Sequence, residues 1–178
     1  MVGEGPADAR LVIVGVVPRR HEDLHGTALA GGPRNIVEEA LTRAGLVPGE
    51  VRFTSVVRCR PPDDRAPELE EVRACAGHLD AELALVDPEV IVTLGELATS
   101  VVLRRPVPLA RVAGYRLDVR QGVTLVPTHH PSEVMRGVPE AAKAIRRDLA
   151  VAKAVLDGRM GTGAQALSEL RSRLAAQG

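Results

Sequence analysis

Short β-branched runs alternate with longer segments of helical periodicity along most of the chain. Val, Ile and Thr cluster in four runs that predict strands over residues 10–16, 51–56, 90–94 and 124–127. Apolar residues at three- and four-residue spacing predict helices over residues 34–44, 68–86, 96–103 and 139–157. This alternation is typical of a parallel sheet with helices on both faces. We therefore predict a three-layer α/β/α fold with a central, mostly parallel sheet of four strands.

The pattern changes after residue 157, where the chain reads GRMGTGA. Glycine-rich sequence of this kind interrupts helices. A short amphipathic helix is predicted beyond it, near residues 164–175. We therefore predict one domain over residues 1–157 and a C-terminal appendage over residues 158–178, a short helix or mobile tail without catalytic residues.

Charge and composition narrow the possible functions only slightly. The 178 residues include 23 basic and 23 acidic side chains, so any contact with nucleic acid must come from a local basic cluster. The sequence has no apolar run of membrane-spanning length, and its first ten residues lack the features of a signal peptide. We expect a cytoplasmic monomer. One Phe and one Tyr leave few side chains that can stack on a base.

Three stretches, over residues 11–31, 53–67 and 127–136, resemble the iron-sulfur uracil-DNA glycosylases of bacteria and archaea. Residues 3–11 and 89–98 fit the same family. The resemblance implies a uracil-DNA glycosylase-like fold and DNA, single-stranded or damaged duplex, as the partner. It also implies a hydrolase of base excision repair, which cleaves the N-glycosidic bond of a damaged base flipped out of DNA.

His130 is the strongest candidate for catalysis. It occupies the position of the family's catalytic histidine in the sequence THHPS, and an imidazole there can stabilise the anion left on the departing base. Pro131 restricts His130 to an extended backbone. The resemblance also assigns DNA contacts to Ser132, Met135 and Arg136, with Met135 as an apolar wedge. The alternative is a structural turn with one solvated and one packed imidazole.

The loop after the first strand departs from the family. The family has Gly-Glu-Ala-Pro-Gly there, whereas this chain has a valine, Val16, at the position of the acid. Loss of such a group typically lowers the rate about 100- to 10,000-fold. The resemblance places Val17 and Pro18 in the base pocket. The nearby acidic pair at residues 22–23 matches the family's own loop, and His21 is a weaker, off-pattern candidate.

Two further substitutions fall in the base pocket that the resemblance implies. Leu29 replaces the phenylalanine that would stack on uracil, so the flat aromatic surface is lost. Ser55 replaces an asparagine whose amide matches the polar edge of uracil, and this exchange should lower discrimination by about 1 to 3 kcal/mol. Ser55 has an alternative role as a strand-end residue bonded to the backbone. The site is therefore predicted to be degenerate.

The two cysteines, Cys59 and Cys75, have the spacing of the family's second cysteine pair. That pair is half of a 4Fe-4S site, which normally takes four thiolates. The family's first pair precedes the segment that matches residues 3–6. We therefore expect no cofactor in this chain as given, and a cluster only if two further cysteines lie upstream of Met1. The alternative is two small, buried side chains.

Several arginines lie in or beside these loops and could present one positive face to DNA phosphates. They are Arg19, Arg20, Arg58, Arg60, Arg65 and Arg136. Arg19, Arg60 and Arg136 are the predicted phosphate contacts, and solvated surface is the alternative for each.

Three functions remain open. The first is a DNA glycosylase with weak or redirected activity, carried by His130 and the loop around Pro18. The second is a catalytically silent relative that binds DNA. The third is a fold reused for protein contacts, which predicts no salt-dependent affinity for DNA. We favour the first because the loop from Thr128 to Arg136 keeps both the histidine and the DNA-contacting positions.

Overall fold

A computed structural model describes residues 2–120 and 122–161, and within these ranges the chain forms a five-stranded sheet and six α-helices. The strands are β1 (Leu11–Gly15), β2 (Val51–Ser55), β3 (Val90–Leu94), β4 (Leu117–Arg120) and β5 (Val123–Thr128). The helices are α1 (Arg20–His25), α2 (Gly31–Arg43), α3 (Leu69–Val86), α4 (Glu96–Val102), α5 (Pro131–Met135) and α6 (Pro139–Leu156). The predicted α/β class is confirmed.

The strands lie in the order β2-β1-β3-β5-β4. Four are parallel, and β4 pairs with β5 in the antiparallel direction. The prediction of four strands was therefore wrong, because β4 was missed. This edge strand is only four residues long and alternates two half-buried side chains with two exposed charged ones. Such a short, half-polar run gives little signal in the sequence.

The sheet buries both of its faces. Ile13 and Phe53 point into one core, where they pack against α2 and α6 through residues such as Leu41. Val14 and Ile91 point into the other core, against α3 and α4. Burial on both sides explains why these strands read as nearly continuous apolar runs in the sequence. It also fixes the register, since a shift of one residue would exchange the two faces.

Two short helices, α1 and α5, were not predicted, and each directly follows the loop at the end of a strand. With six and five residues, neither contains enough helical repeats to be recognised by periodicity. The helix predicted near residues 164–175 lies outside the described residues. Within the described ranges, no helix is long and apolar enough to cross a membrane.

The sheet order creates a place for a site. The chain leaves β1 toward β2 on one side and returns to β3 on the other side. Open α/β sheets bind ligands at such a switch point, beyond the carboxyl ends of the strands. The loops that follow β1, β2, β3 and β5 therefore meet at one edge of the sheet.

Candidate functional site

A pocket of about 550 Å³ lies at this carboxyl edge. The loops after β1, β2, β3 and β5 all contribute to its lining. The lining residues are Gly15, Val16, Val17, Pro18, Arg19, Glu22, Leu29, Pro33, Thr54, Ser55, Ala66, Pro67, Leu97, His130, Ser132 and Met135. The structure thus brings the predicted catalytic and base-pocket residues together. We call residues 16–31 the β1 loop and residues 128–136 the histidine loop.

The histidine loop fixes the imidazole of His130 through the start of α5. Pro131 is the first residue of the helix, and His130 precedes it with an extended backbone. The backbone N–H of Ser132 donates to Nδ1 of His130 at 3.1 Å, and the Ser132 hydroxyl lies 2.7 Å from the same atom. A ring nitrogen that accepts from an N–H carries no proton. In the neutral ring the proton is therefore on Nε2.

Burial keeps this imidazole neutral. It lowers the pKa of His130 below its ordinary value of 6.5, and the positive charges of Arg19 and Arg136 lower it further. The carboxylates of Glu133 and Glu22 act in the opposite direction but have a smaller total effect. Nε2 has no hydrogen-bond partner in the part of the chain that the structure describes. His130 thus presents a neutral N–H donor that is available to a ligand.

Gly95, between β3 and α4, supports the same imidazole from below. A Cβ atom at residue 95 would lie 3.3 Å from Cβ of His130, and the backbone there has a φ of +89°. The N–H of Gly95 also donates to the carbonyl of Thr128 at 2.8 Å. Glycine is therefore required at this position both for its backbone angle and for the close approach of His130.

Glu133 ties the two histidines of the histidine loop together. Its Oε1 accepts from the backbone N–H of His130 at 3.2 Å, and its Oε2 lies 2.9 Å from Nδ1 of His129. Partial burial raises the pKa of Glu133, but the hydrogen bonds from His129 and the His130 backbone outweigh it and lower the pKa overall. His129 does not line the pocket. Its role is to pair with the carboxylate that holds the loop.

The β1 loop forms the opposite wall and is mostly apolar. Val16, Val17 and Pro18 follow β1 directly, as the sequence predicts. Glu22 closes this loop: its Oε2 accepts from the backbone N–H of Arg19 at 3.1 Å, and its Oε1 accepts from that of Ala30 at 2.9 Å. The residue is only 6% exposed. One carboxylate therefore joins the two ends of the loop.

Leu29 of the β1 loop and Met135 of the histidine loop also line the pocket. Leu29 has a φ of +57°, a left-handed backbone conformation that residues other than glycine rarely adopt. Met135 is 60% exposed, and its Sδ and Cε lie 3.3 and 3.1 Å from where a Cβ of Gly32 would be. The missing side chain at Gly32 lets Met135 pack there. An exposed methionine beside the pocket matches the predicted position of an apolar wedge.

Ser55 ends β2 at the floor of the pocket and is 4% exposed. Its hydroxyl donates to the carbonyl of Val57 at 2.8 Å. This is the backbone hydrogen bond of the alternative interpretation. Because the hydroxyl proton is used, Ser55 offers the pocket an acceptor oxygen. A base-reading role for Ser55 stays a prediction.

The arginines near the pocket differ in how they are paired. Arg19 donates to the carbonyl of Asp64, and Arg136 lies 3.3 Å from the Ser132 hydroxyl. Arg60 forms a two-point ion pair with the carboxylate of Asp64, at 2.7 and 3.1 Å. Arg136 and Arg19 are exposed beside the pocket residues, and Arg60 lies in the adjacent loop.

Two other arginines of the predicted basic cluster point to acids of α3. Arg58 pairs with Glu82, which is buried. Arg65 pairs with Glu71 at 2.8 Å. The positive face is therefore narrower than the sequence indicates. Arg20 is exposed at the start of α1, next to Arg19.

The two predicted cluster ligands, Cys59 and Cys75, differ in their exposure. Cys59 is exposed after β2, and Cys75 is partly buried on α3. Among residues 2–120 and 122–161, no group of three or more His, Cys, Asp or Glu side chains could hold a metal. Two thiols are half of the set that a 4Fe-4S cluster normally requires. The described residues therefore do not fit such a cluster by themselves.

Three functional positions were missed or given little weight in the sequence analysis. Gly95 was not considered, although a glycine between a buried strand and a helix indicates an unusual backbone. Glu133 was also missed, although an acid three residues after an N-cap is typical of a capping box. Glu22 was given little weight because the acidic pair at residues 22–23 matches the loop of the family. Its contact with Ala30, eight residues away, cannot be recognised from local spacing.

The fold and the pocket together define a class of protein. Proteins of this class have an open α/β sheet with an apolar pocket at its carboxyl edge. Here an imidazole N–H donor lies in that pocket, beside exposed arginines. Comparison with known proteins gives the family. The model of the uracil DNA glycosylase superfamily matches residues 2–150. The chain belongs to the uracil-DNA glycosylase superfamily.

Curated relatives agree with this assignment. A type-4 uracil-DNA glycosylase of Thermotoga maritima is 35% identical over 158 residues, which cover 88% of this chain and 82% of the relative. A type-4 enzyme of Pyrobaculum aerophilum is 35% identical, over 84% of this chain and 79% of the relative. A type-5 uracil-DNA glycosylase of Mycobacterium leprae is also 35% identical, over 74% of this chain and 66% of the relative. The chain is thus similar to two types within the family.

Proposed function

We propose that the protein is a DNA glycosylase that hydrolyses the N-glycosidic bond of a damaged base flipped out of DNA, with weak or altered selectivity for uracil. The observation that carries the proposal is the neutral imidazole of His130, whose Nδ1 accepts from Ser132 and whose Nε2–H has no partner among the described residues. The names of the curated relatives, all uracil-DNA glycosylases in the comparisons above, support the same chemistry.

The position of His130 supports a role in stabilising the departing base. When the N-glycosidic bond breaks, the electron pair of the bond leaves with the base, which becomes an anion. A neutral imidazole can donate Nε2–H to this anion without a change in its own protonation. Protein donors that are already oriented avoid the cost of reorganising solvent. The hydrogen bonds from Ser132 and the close contact with Gly95 supply this orientation.

The altered selectivity rests on the rest of the pocket lining. Val16 and Leu29 give apolar contact in place of an acid and an aromatic ring. Ser55 offers an acceptor oxygen in place of an amide that both donates and accepts. An acceptor alone can bind a ring N–H but cannot donate to a carbonyl oxygen of the base. We therefore expect this pocket to prefer uracil less strongly, compared with bases that have an amino group at their polar edge, than a pocket with the amide would.

DNA is the proposed partner. Exposed Arg19 and Arg136 lie at the pocket, where they can meet phosphates on both sides of a flipped nucleotide. Met135 is exposed at the same rim and is suited to fill the vacated stack. The protein has no net charge, so this local rim must provide the attraction.

The test is cleavage of single- and double-stranded oligonucleotides that contain uracil, hypoxanthine or xanthine, with alkali treatment to reveal abasic sites. We expect product from the wild type and a loss of about 100-fold or more in His130→Ala. Salt-dependent binding without product would instead support the silent DNA-binding relative. Neither product nor salt-dependent binding would support protein contacts alone.

A further inference from the structure

We propose that the carboxylate of Glu22 supplies the negative charge that the acid at the position of Val16 provides elsewhere in the family. This inference rests on the proposed function. Among the residues that line the pocket, Glu22 has the only acidic side chain. It reaches the pocket from α1, which follows β1, whereas His130 follows β5, and it lies on the wall that also contains Val16.

The surroundings of Glu22 hold its charge in one place. Both carboxylate oxygens accept backbone N–H groups, from Arg19 at 3.1 Å and from Ala30 at 2.9 Å. The residue is 6% exposed. An ionised carboxylate is an acceptor only, so two N–H donors match it well. The side chain therefore cannot rotate freely, and its charge stays at the pocket wall.

This charge is not neutralised by an ion pair. Within residues 2–120 and 122–161, the ion pairs of the structure do not include Glu22. The guanidinium of the adjacent Arg19 points to the carbonyl of Asp64 instead. The negative charge of Glu22 acts across the pocket as far as His130, whose pKa it raises against the larger effect of burial. A buried charge without a counterion is costly, and such charges are concentrated at functional sites.

The reaction develops a positive charge that such a carboxylate can stabilise. As the bond between C1′ and the base breaks, the electron pair leaves with the base and the sugar becomes cationic. His130 donates Nε2–H to the base, and the field of Glu22 stabilises the sugar. Water then forms a bond to C1′ and releases a proton to solvent, while the base anion takes up a proton. The two residues thus stabilise the two opposite charges of one step.

A purely structural role for Glu22 is the competing explanation, since the same carboxylate joins the ends of the β1 loop. Glu22→Gln retains one acceptor oxygen but places an amide NH₂ against one of the two N–H donors. Its effect alone is therefore ambiguous. Val16→Glu offers an independent variant, because Val16 lines the pocket and is only partly buried. Asp23→Asn is the matched control, because Asp23 is exposed beside Glu22 on the same short helix.

The experiment compares single-turnover cleavage and DNA affinity for the wild type, Glu22→Gln, Val16→Glu, the double variant and Asp23→Asn. We expect Glu22→Gln to lower the cleavage rate about 10- to 100-fold and to leave the DNA affinity within about twofold. The double variant should recover most of this loss, because it restores a charge at the same wall. Asp23→Asn should cleave like the wild type.

Three outcomes would overturn the proposal. The first is wild-type cleavage by Glu22→Gln. The second is a folded Glu22→Gln variant that is slow and is not rescued by Val16→Glu, which would indicate a structural role only. The third is a gain of about 10-fold or more in the cleavage rate of Val16→Glu alone, which would mean that the wild-type pocket lacks a negative charge that stabilises the sugar. The proposal instead predicts a gain of less than about threefold. This outcome can be measured even if Glu22→Gln does not fold.

The same measurements separate this inference from the proposed function. Wild-type cleavage that depends on His130 but not on Glu22 would overturn the role of Glu22 alone. Absence of abasic product from the wild type with every base would overturn both.

Discussion

The histidine loop and the β1 loop face each other across one pocket, but they are held in different ways. The histidine loop is fixed by contacts between near neighbours: Ser132 and Glu133 bind the ring and the backbone of His130. The β1 loop is held at a distance, since Glu22 connects Arg19 to Ala30. The first loop contains His130, the predicted catalytic residue, whereas the second contains Val16 and Leu29, two of the three positions predicted to depart from the family.

This difference suggests which part of the site tolerates change. A helix cap made by consecutive residues constrains each of them, so a substitution there disturbs the position of the imidazole directly. In the β1 loop one buried carboxylate holds the backbone, and the side chains of Val16 and Leu29 take no part in its hydrogen bonds. The β1 loop is therefore where selectivity and charge can change while the histidine is kept.

The largest loss of cleavage is expected from a substitution at Gly95, which lies outside the histidine loop but contacts His130. Gly95→Ala places a methyl group 3.3 Å from Cβ of His130 and strains a backbone with a φ of +89°. A displacement of the imidazole by about 1 Å should reduce cleavage about 100-fold. Gly122→Ala is the matched control, because its φ is +84° but nothing lies within 4 Å of the new atom.

In both variants the alanine is strained at a positive φ, which should lower the free energy of unfolding by about 1 to 3 kcal/mol. Thermal unfolding measures this change. Only Gly95→Ala should lose activity beyond what this destabilisation explains. Equal single-turnover rates for the two variants would show that the contact with His130 does not position the ring.

The second prediction concerns the apolar pocket. Ser55→Asn restores an amide that can donate to a carbonyl oxygen of the base and accept from its ring N–H. Cleavage of uracil relative to a competing base should improve by about 1 to 3 kcal/mol, about 5- to 150-fold. The measurement is competition between oligonucleotides that contain uracil and oligonucleotides that contain cytosine, whose edge has an amino group and a ring acceptor in place of the carbonyl and the ring N–H.

Ser55→Ala is the control for this change, because it removes the hydroxyl without adding an amide. It also removes the hydrogen bond to Val57. If Ser55→Ala improved the uracil preference as much as Ser55→Asn, the amide would not be the cause.

The sequence predicted the buried strands and three residues of the pocket, but not the edge strand. The parallel strands were recognised because both of their faces are buried, so their apolar runs are nearly continuous. The edge strand β4 was missed because its side chains alternate over only four residues. His130, Ser132 and Met135 were placed by resemblance, and the structure brings them to one pocket.

Long-range contacts account for most of what was missed. The position of Gly95 beside His130 depends on the pairing of β3 with β5, which the sequence of either strand does not encode. The ion pair between Arg58 and Glu82 joins residues far apart in the chain and removes Arg58 from the predicted basic cluster. Local patterns predict elements, whereas pairing between elements determines which charges meet.

A smaller effect is expected at the rim of the pocket. Arg136→Ala should weaken binding to duplex DNA several-fold and reduce the slope of log affinity against log salt by about 0.9, the value for one phosphate contact. Fluorescence anisotropy at several salt concentrations measures both. Arg10→Ala is the control, because Arg10 precedes β1 and lies at the opposite edge of the sheet. An unchanged slope in Arg136→Ala would mean that this arginine serves only Ser132.

The smallest expected effect comes from the protonation of His130. Its pKa in the folded protein lies below 6.5 because burial disfavours the charged ring. The unfolded chain therefore binds a proton at a higher pH than the folded protein does. Below about pH 6.5, stability should fall as the pH decreases toward the folded pKa, by about 1.4 kcal/mol for each unit that separates the two values.

A proton on Nδ1 would also face the N–H of Ser132, so protonation should loosen the start of α5. An NMR titration of the His130 ring, assigned by comparison with His130→Gln, measures its midpoint. The variant should also lose the decrease in stability that acid causes in the wild type. A midpoint at or above 6.5 would contradict the neutral donor and, with it, the assignment of the free N–H to Nε2. The histidine loop would then carry a charge, and the contrast with the anionic β1 loop would become an attraction across the pocket.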